Sequence, residues 1–160
     1  MTWSRCLSSL GCPELGLGEI LALAARHGVP AVELRSVGGE DDLAAHCARA
    51  FGIPAALAAQ VRAQPVRIVA LNTSLRLIGA TDEDRARLEA LAPWAEALNV
   101  PRLRVFDGGS RWGPAERAEA AATVDWWRGR RRDRGWTVDL MVETHDVLLT
   151  GDAITRFAAE

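Results

Sequence analysis

The stretch VDLMVETHD, residues 138–146, runs an apolar strand pattern straight into Glu143, Thr144, His145 and Asp146. Carboxylates and an imidazole are groups that take up and return protons in catalysis. Period-two alternation along a strand sends Glu143 and His145 to the same side. In one architecture such residues form a catalytic mouth; in another, Thr144 and Asp146 merely open a turn or cap the helix that starts near Thr150. Other strand-like runs also end in polar residues. Glu33 and Arg35 alternate to one face at the end of VPAVELR, Asn72 closes VRIVALN, and Asp107 closes RLRVFD. Glu33 and Arg35 can orient a hydroxyl or a phosphate, or simply pair with each other. Asn72 and Asp107 can touch a ligand or satisfy loop backbone.

The elements that must position these residues follow from hydrophobic periodicity. Strand patterns fall at WSRCLSS, VPAVELR, VRIVALN, RLRVFD and TVDLMVE. Helical patterns lie between them, in LGLGEILALAARHG, DLAAHCARAFG with IPAALAAQVRAQ, TDEDRARLEALAPWAEALNV, and PAERAEAAATVDWWRGRRRDRG. Each sets apolar positions at helical spacing against a polar face. Thr81 and Asp84 form a capping box, Pro114 suits a first helical position, and Gly28 and Gly135 stand where helices stop. Pro93, inside a helical pattern, predicts a kink or a break near Ala92.

Composition describes one domain. The 160 residues are 49% apolar and 25% charged, enough for one core and too few for two ordinary domains. A net charge of −2 offers no overall attraction to nucleic acid. Every basic side chain other than the three histidines is Arg. The three cysteines, Cys6, Cys12 and Cys47, lack CxxC spacing, which fits a reducing cytoplasm better than a disulfide framework or a zinc site. The N-terminus has no signal-peptide pattern, and the longest uncharged run, AFGIPAALAAQV, contains Pro54 and is too short to span a bilayer. The first strand pattern starts within a few residues of Met1, so the N-terminus is expected to be whole.

The strand-end polar residues Glu33, Asn72, Asp107 and Glu143 recur roughly every 35 to 40 positions, a quasi-repeat of βα units. Sequential βα units predict an α/β fold with a parallel sheet covered by helices, whose site lies at the carboxyl ends of the strands. Five units fit two architectures. One is a flavodoxin-like doubly wound sheet; the other is a partial (β/α)8 TIM barrel, whose full length is about 250 residues.

The ordered segments VELR, LNTS, VFDGG and VETHD, set within SSLGCPELGLGEILALAARHGVPAVELR and its continuation, resemble the xylose isomerase-like TIM-barrel superfamily of sugar phosphate isomerases and epimerases. The resemblance covers essentially the whole chain, as the first five βα units of a single domain, 1–160, truncated at its C-terminus. It implies a divalent metal (Mn2+, Mg2+ or Co2+) at the barrel mouth, with Glu143 as the ligand from strand five. The remaining ligands of that family come from strands six to eight, which have no counterpart here, so the resemblance implies an incomplete site.

The activity so implied is isomerisation or epimerisation of a sugar or sugar phosphate. A proton beside a carbonyl is removed and returned elsewhere, a cation stabilises the developing oxyanion, and a group of tuned pKa moves the proton. His145 is the catalytic candidate; Glu33, Arg35, Asn72 and Asp107 are substrate-binding candidates. A rival reading is a non-enzymatic module whose open sheet edges pair with another copy. Nucleic acid and membrane are not expected partners. The run RGRRRDRG, residues 128–135, is expected to complement a helix C-terminus on the barrel exterior. Trp126 and Trp127 are expected to pack against the sheet, and His27 and His46 to be structural. No GxGxxG, Walker, GxSxG or HExxH motif occurs.

Overall fold

The computed structural model describes residues 4–159. Five strands, β1 (Cys6–Ser8), β2 (Ala31–Leu34), β3 (Arg67–Ile78), β4 (Arg102–Gly108) and β5 (Asp139–Glu143), alternate with six helices. These are α1 (Leu17–Arg26), α2 (Leu43–Phe51), α3 (Pro54–Arg62), α4 (Asp82–Ala97), α5 (Pro114–Arg134) and α6 (Gly151–Ala158). A single 3-10 turn, Ser9–Gly11, follows β1. Every strand pair is parallel, and the sheet order is β1-β2-β3-β4-β5. A flavodoxin-like sheet would place β1 between β2 and β3, so the observed order is that of a barrel wall.

Helix ends form where the sequence supplies their chemistry. The Thr81 hydroxyl accepts from the Asp84 N–H while the Asp84 carboxylate accepts from the Thr81 N–H, which satisfies two amides of the first turn of α4. Pro114 opens α5, and Gly135, in the left-handed region at φ 69°, closes it. Of the kink or break expected at Pro93, the break does not occur: α4 continues from Asp82 to Ala97 with the proline inside it. Pro93 is exposed, while Leu91, Ala92, Trp94 and Ala95 on either side of it are buried. Packing on both sides holds the helix together across the missing N–H.

One face of the sheet carries the core. Val32, Leu34, Leu71, Leu103 and Val105 pack with Leu17, Ile20 and Leu21 of α1, Leu57 of α3, Leu88 and Leu91 of α4, and Trp127 of α5. Trp127 is fully buried and stacked on Trp136, with Trp126 at the rim beside it. Burial of such side chains contributes about 1.5–3 kcal/mol each. The arginines at the end of α5 lie outside this core. Arg130 pairs with Glu89, Arg131 with Asp139, and Arg128 with Asp125. Among the described residues no helix is long and apolar enough to cross a membrane.

Candidate functional site

Sheet register defines the opposite face. Phe106 is level with Glu143, Arg104 with Met141, and Asn72 with Arg104. Residues level in adjacent parallel strands share a face, so Arg104, Phe106 and Glu143 line the side away from the helices; Asn72 is level with Arg104 but stands at the β3 register shift and borders a cavity shared with α2 and α4. Glu33, between the core residues Val32 and Leu34, shares the face of Arg104. The charged part of this face lies toward the carboxyl ends of β2, β4 and β5.

Arg104 is at its centre, and the sequence reading passed over it. It is only 8% exposed. Its guanidinium lies over the Phe106 ring, 4.7 Å from the centroid, and its Nη1 is ion-paired with Glu143 Oε2. Burial lowers the Arg104 pKa; the neighbouring Glu33 carboxylate opposes that shift and the Arg35 cation reinforces it. Arg104 Nε is buried with no hydrogen-bond partner. The one available signal was an Arg alternating with Phe106 inside an otherwise apolar strand.

Arg35 is anchored by its surroundings. Its Nη2 donates to Ser74 Oγ at 3.0 Å, and its Nη1 lies 3.7 Å from Asp41 Oδ1. The backbone N–H groups of Arg35 and Ser36 donate to Ser9 Oγ at 2.8 and 3.2 Å, which fixes the chain leaving β2. Ser36 Oγ in turn donates to Asp41.

Asn72 stands within β3, not at its end, because β3 continues to Ile78 after a register shift between Asn72 and Arg76. Both of its amide atoms are buried without a partner, and the residue lines a small cavity together with Asp41, Asp42, Ser74 and Arg87. Unpaired buried amides are rare and costly.

Asp107 is 1% exposed and faces the loop after β5. Its Oδ1 accepts from the N–H groups of His145 and Asp146, both at 2.9 Å, and its Oδ2 from those of Val147 and Leu148, at 2.8 and 2.7 Å. Burial pushes the Asp107 pKa up, but the four N–H dipoles, that of Leu148 foremost, outweigh it and hold the carboxyl below its ordinary value. All of this residue's acceptor capacity is directed at backbone. The helix cap in this region is Thr150, whose hydroxyl accepts from the Ala153 N–H, not Thr144 or Asp146.

His145 is brought to the mouth by that loop. Its ring meets the edge of Phe106, with centroids 5.2 Å apart, and its Nδ1 lies 3.4 Å from Asp146 Oδ1. Glu143, Arg104, Phe106 and His145 therefore form one contiguous group. Glu33 and Arg35 adjoin it electrostatically through Arg104. His27 caps the end of α1, and His46, on α2, lies 3.6 Å from Glu40.

The residues present do not by themselves fit a divalent metal. Among the described residues no three His, Cys, Asp or Glu side chains converge, and the Glu143 carboxylate is already engaged by a guanidinium.

Five parallel strands in chain order, helices on one face and polar groups at the carboxyl ends on the other define a partial (β/α)8 barrel with its mouth. Comparison with known proteins finds this fold again in solved structures. The chain is similar to the crystal structure of the probable 3-DHS dehydratase AsbF, involved in petrobactin synthesis, from Bacillus anthracis. That match has a TM-score of 0.75 and 15% identity and covers 98% of this chain and 58% of that one. It is also similar to the structure of the IOLI protein with a binding zinc atom, with a TM-score of 0.63 and 13% identity over 89% of this chain and 51% of that one. The chain thus spans little more than half the length of either. No protein-family model and no curated protein sequence matches it.

Proposed function

We propose that this chain is a single domain comprising the first five units of a sugar isomerase- or epimerase-like barrel, with a mouth that receives a small hydroxy-carbonyl compound such as a sugar or sugar phosphate. The observation that carries this reading is the contiguous group of Arg104, Glu143, Phe106 and His145 at the carboxyl ends of β4 and β5. An imidazole beside a fixed cation suits proton removal next to a carbonyl, since the cation stabilises the oxyanion that develops.

His145 is the group that moves the proton, and its ring is solvent-accessible. Glu33, Arg35 and Asn72 supply polar contacts for substrate hydroxyls or phosphate, and the unpartnered Asn72 amide is the group with most to gain from a ligand. Asp107 acts through the loop that it holds. Glu143 keeps the metal-ligand role that the resemblance gives it only if ligands outside these five units join it. AsbF is described as a probable 3-DHS dehydratase and IOLI as holding zinc, which fits this substrate and cofactor class.

The test is proton NMR in D2O of the chain with hydroxy-carbonyl sugars, their phosphates and 3-DHS. Saturation transfer should report binding, weakened in Glu33→Gln. Deuterium should enter beside the carbonyl with the wild type and not with His145→Ala. Absence of both binding and exchange across the panel would sink the reading for this chain.

A second reading is a non-enzymatic module that self-associates. It is favoured by the open edges of β1 and β5 and by the absence of any buried residue in β5 and α6, next to the exposed Met141 and Leu149. Light scattering after size exclusion separates the two: a concentration-dependent dimer supports association, and a monomer throughout removes it.

A further inference from the structure

The position that the resemblance gives to a metal ligand is not a free carboxylate. Glu143 is paired to Arg104, whose guanidinium is held in place from several directions. The Phe106 ring supports its face, the Glu33 carboxylate attracts it, and the walls of β3 and β5 bury it. A long Arg side chain normally reaches water, and burying it requires compensation by a partner of opposite charge. Here that partner is Glu143.

We infer that Arg104 is the resident counter-cation of Glu143, occupying the place where a divalent ion would neutralise that carboxylate, so that a metal reaches Glu143 only by displacing the guanidinium. This rests on the mouth assigned above, but it concerns charge within the chain and requires no substrate. Two cations cannot share one carboxylate at contact distance without strong mutual repulsion, and the buried Arg104 is already close to Arg35. The mouth therefore carries its own fixed positive charge, and removing that charge should create metal affinity instead of abolishing it.

The experiment measures Mn2+ binding by the loss of the free-ion paramagnetic resonance signal, together with the shift in melting temperature on adding Mn2+ or Zn2+, because a ligand that binds only the folded state raises the midpoint. The proteins are the wild type, Arg104→Met, which keeps the side chain's length and apolar stem, and Arg104→Met combined with Glu143→Gln. Expected is at least a tenfold tighter Mn2+ affinity in Arg104→Met than in the wild type, lost again in the double variant. Equal affinity in the wild type and Arg104→Met, or a gain that survives Glu143→Gln, would overturn the inference. Should Arg104→Met not fold, Arg104→Gln serves, since it removes the charge and keeps a polar side chain: a gain in affinity supports the inference, and wild-type affinity overturns it. Failure to bind sugars would leave this result standing, and failure here would leave the sugar reading standing.

Discussion

The N–H of His145 donates to the buried Asp107 carboxylate at 2.9 Å, the first of four consecutive amides that the carboxylate gathers. The residue offered to the mouth is thus set by a side chain two residues before the start of another loop, on the neighbouring strand. Replacing Asp107 by Asn puts an NH2 donor against amides that need an acceptor. Asp107→Asn should cost about 2–4 kcal/mol in urea unfolding. Hydrogen exchange at residues 145–148 should accelerate more than exchange in β3.

The same carboxylate makes stability depend on acid. Its pKa in the folded chain lies below the unfolded value, so the folded state gains from its ionisation above about pH 4 and loses that gain as the pH falls through the folded pKa. Urea midpoints measured from pH 6 down to pH 2 should fall in that acid range. The slope should be shallower in Asp107→Asn, which has no proton to bind there.

Gly108 ends β4 at φ 72°, and a Cβ added to it would stand 2.7 Å from Arg76 Cβ and closer still to the Ile78 carbonyl oxygen. Both obstacles belong to β3 and cannot swing aside. Gly108→Ala should therefore destabilise by about 3 kcal/mol or more, from strained backbone together with a forced separation of β3 and β4. Thermal denaturation checks this against Gly28→Ala, where φ is 63° but nothing lies within 4 Å of the added atom. The smaller loss belongs to Gly28→Ala.

Pro93 sits on the exposed side of α4 and leaves the Glu89 carbonyl without its helical donor. Pro93→Ala should stabilise the chain by about 1–2 kcal/mol, the restored helix geometry outweighing the extra freedom of the unfolded chain. Urea unfolding measures it, and a loss of stability would show that the proline is adapted to a local bend.

The βα alternation was legible because β2 to β5 are runs rich in β-branched and apolar residues and several helices carry end signals, as Thr81, Pro114 and Gly135 show, whereas the short β1, CLS, gave little signal. The choice between barrel and doubly wound sheet was not, since strand order depends on which edges meet and not on any one segment. The resemblance pointed toward the barrel, and the sheet order agrees. At the mouth, residue types were readable but directions were not. Glu143 and His145 lie together as alternation requires, whereas Asp107 turns toward a loop 38 residues ahead and Asn72 lies inside a longer strand. Arg104 escaped notice because its importance comes from Phe106 beneath it and Glu143 beside it, neither of which its own segment reveals as a partner.

The order β1-β2-β3-β4-β5 also bears on how the chain is made. Each strand's first neighbour is the strand synthesised just before it, so every new βα unit finds a finished docking edge when it leaves the ribosome. A doubly wound order would leave its first strand waiting for a later one to reach its far side. Growth by addition keeps sequence separations between paired strands short, which favours rapid folding. It also leaves, at every stage of synthesis, one edge ready for the next strand.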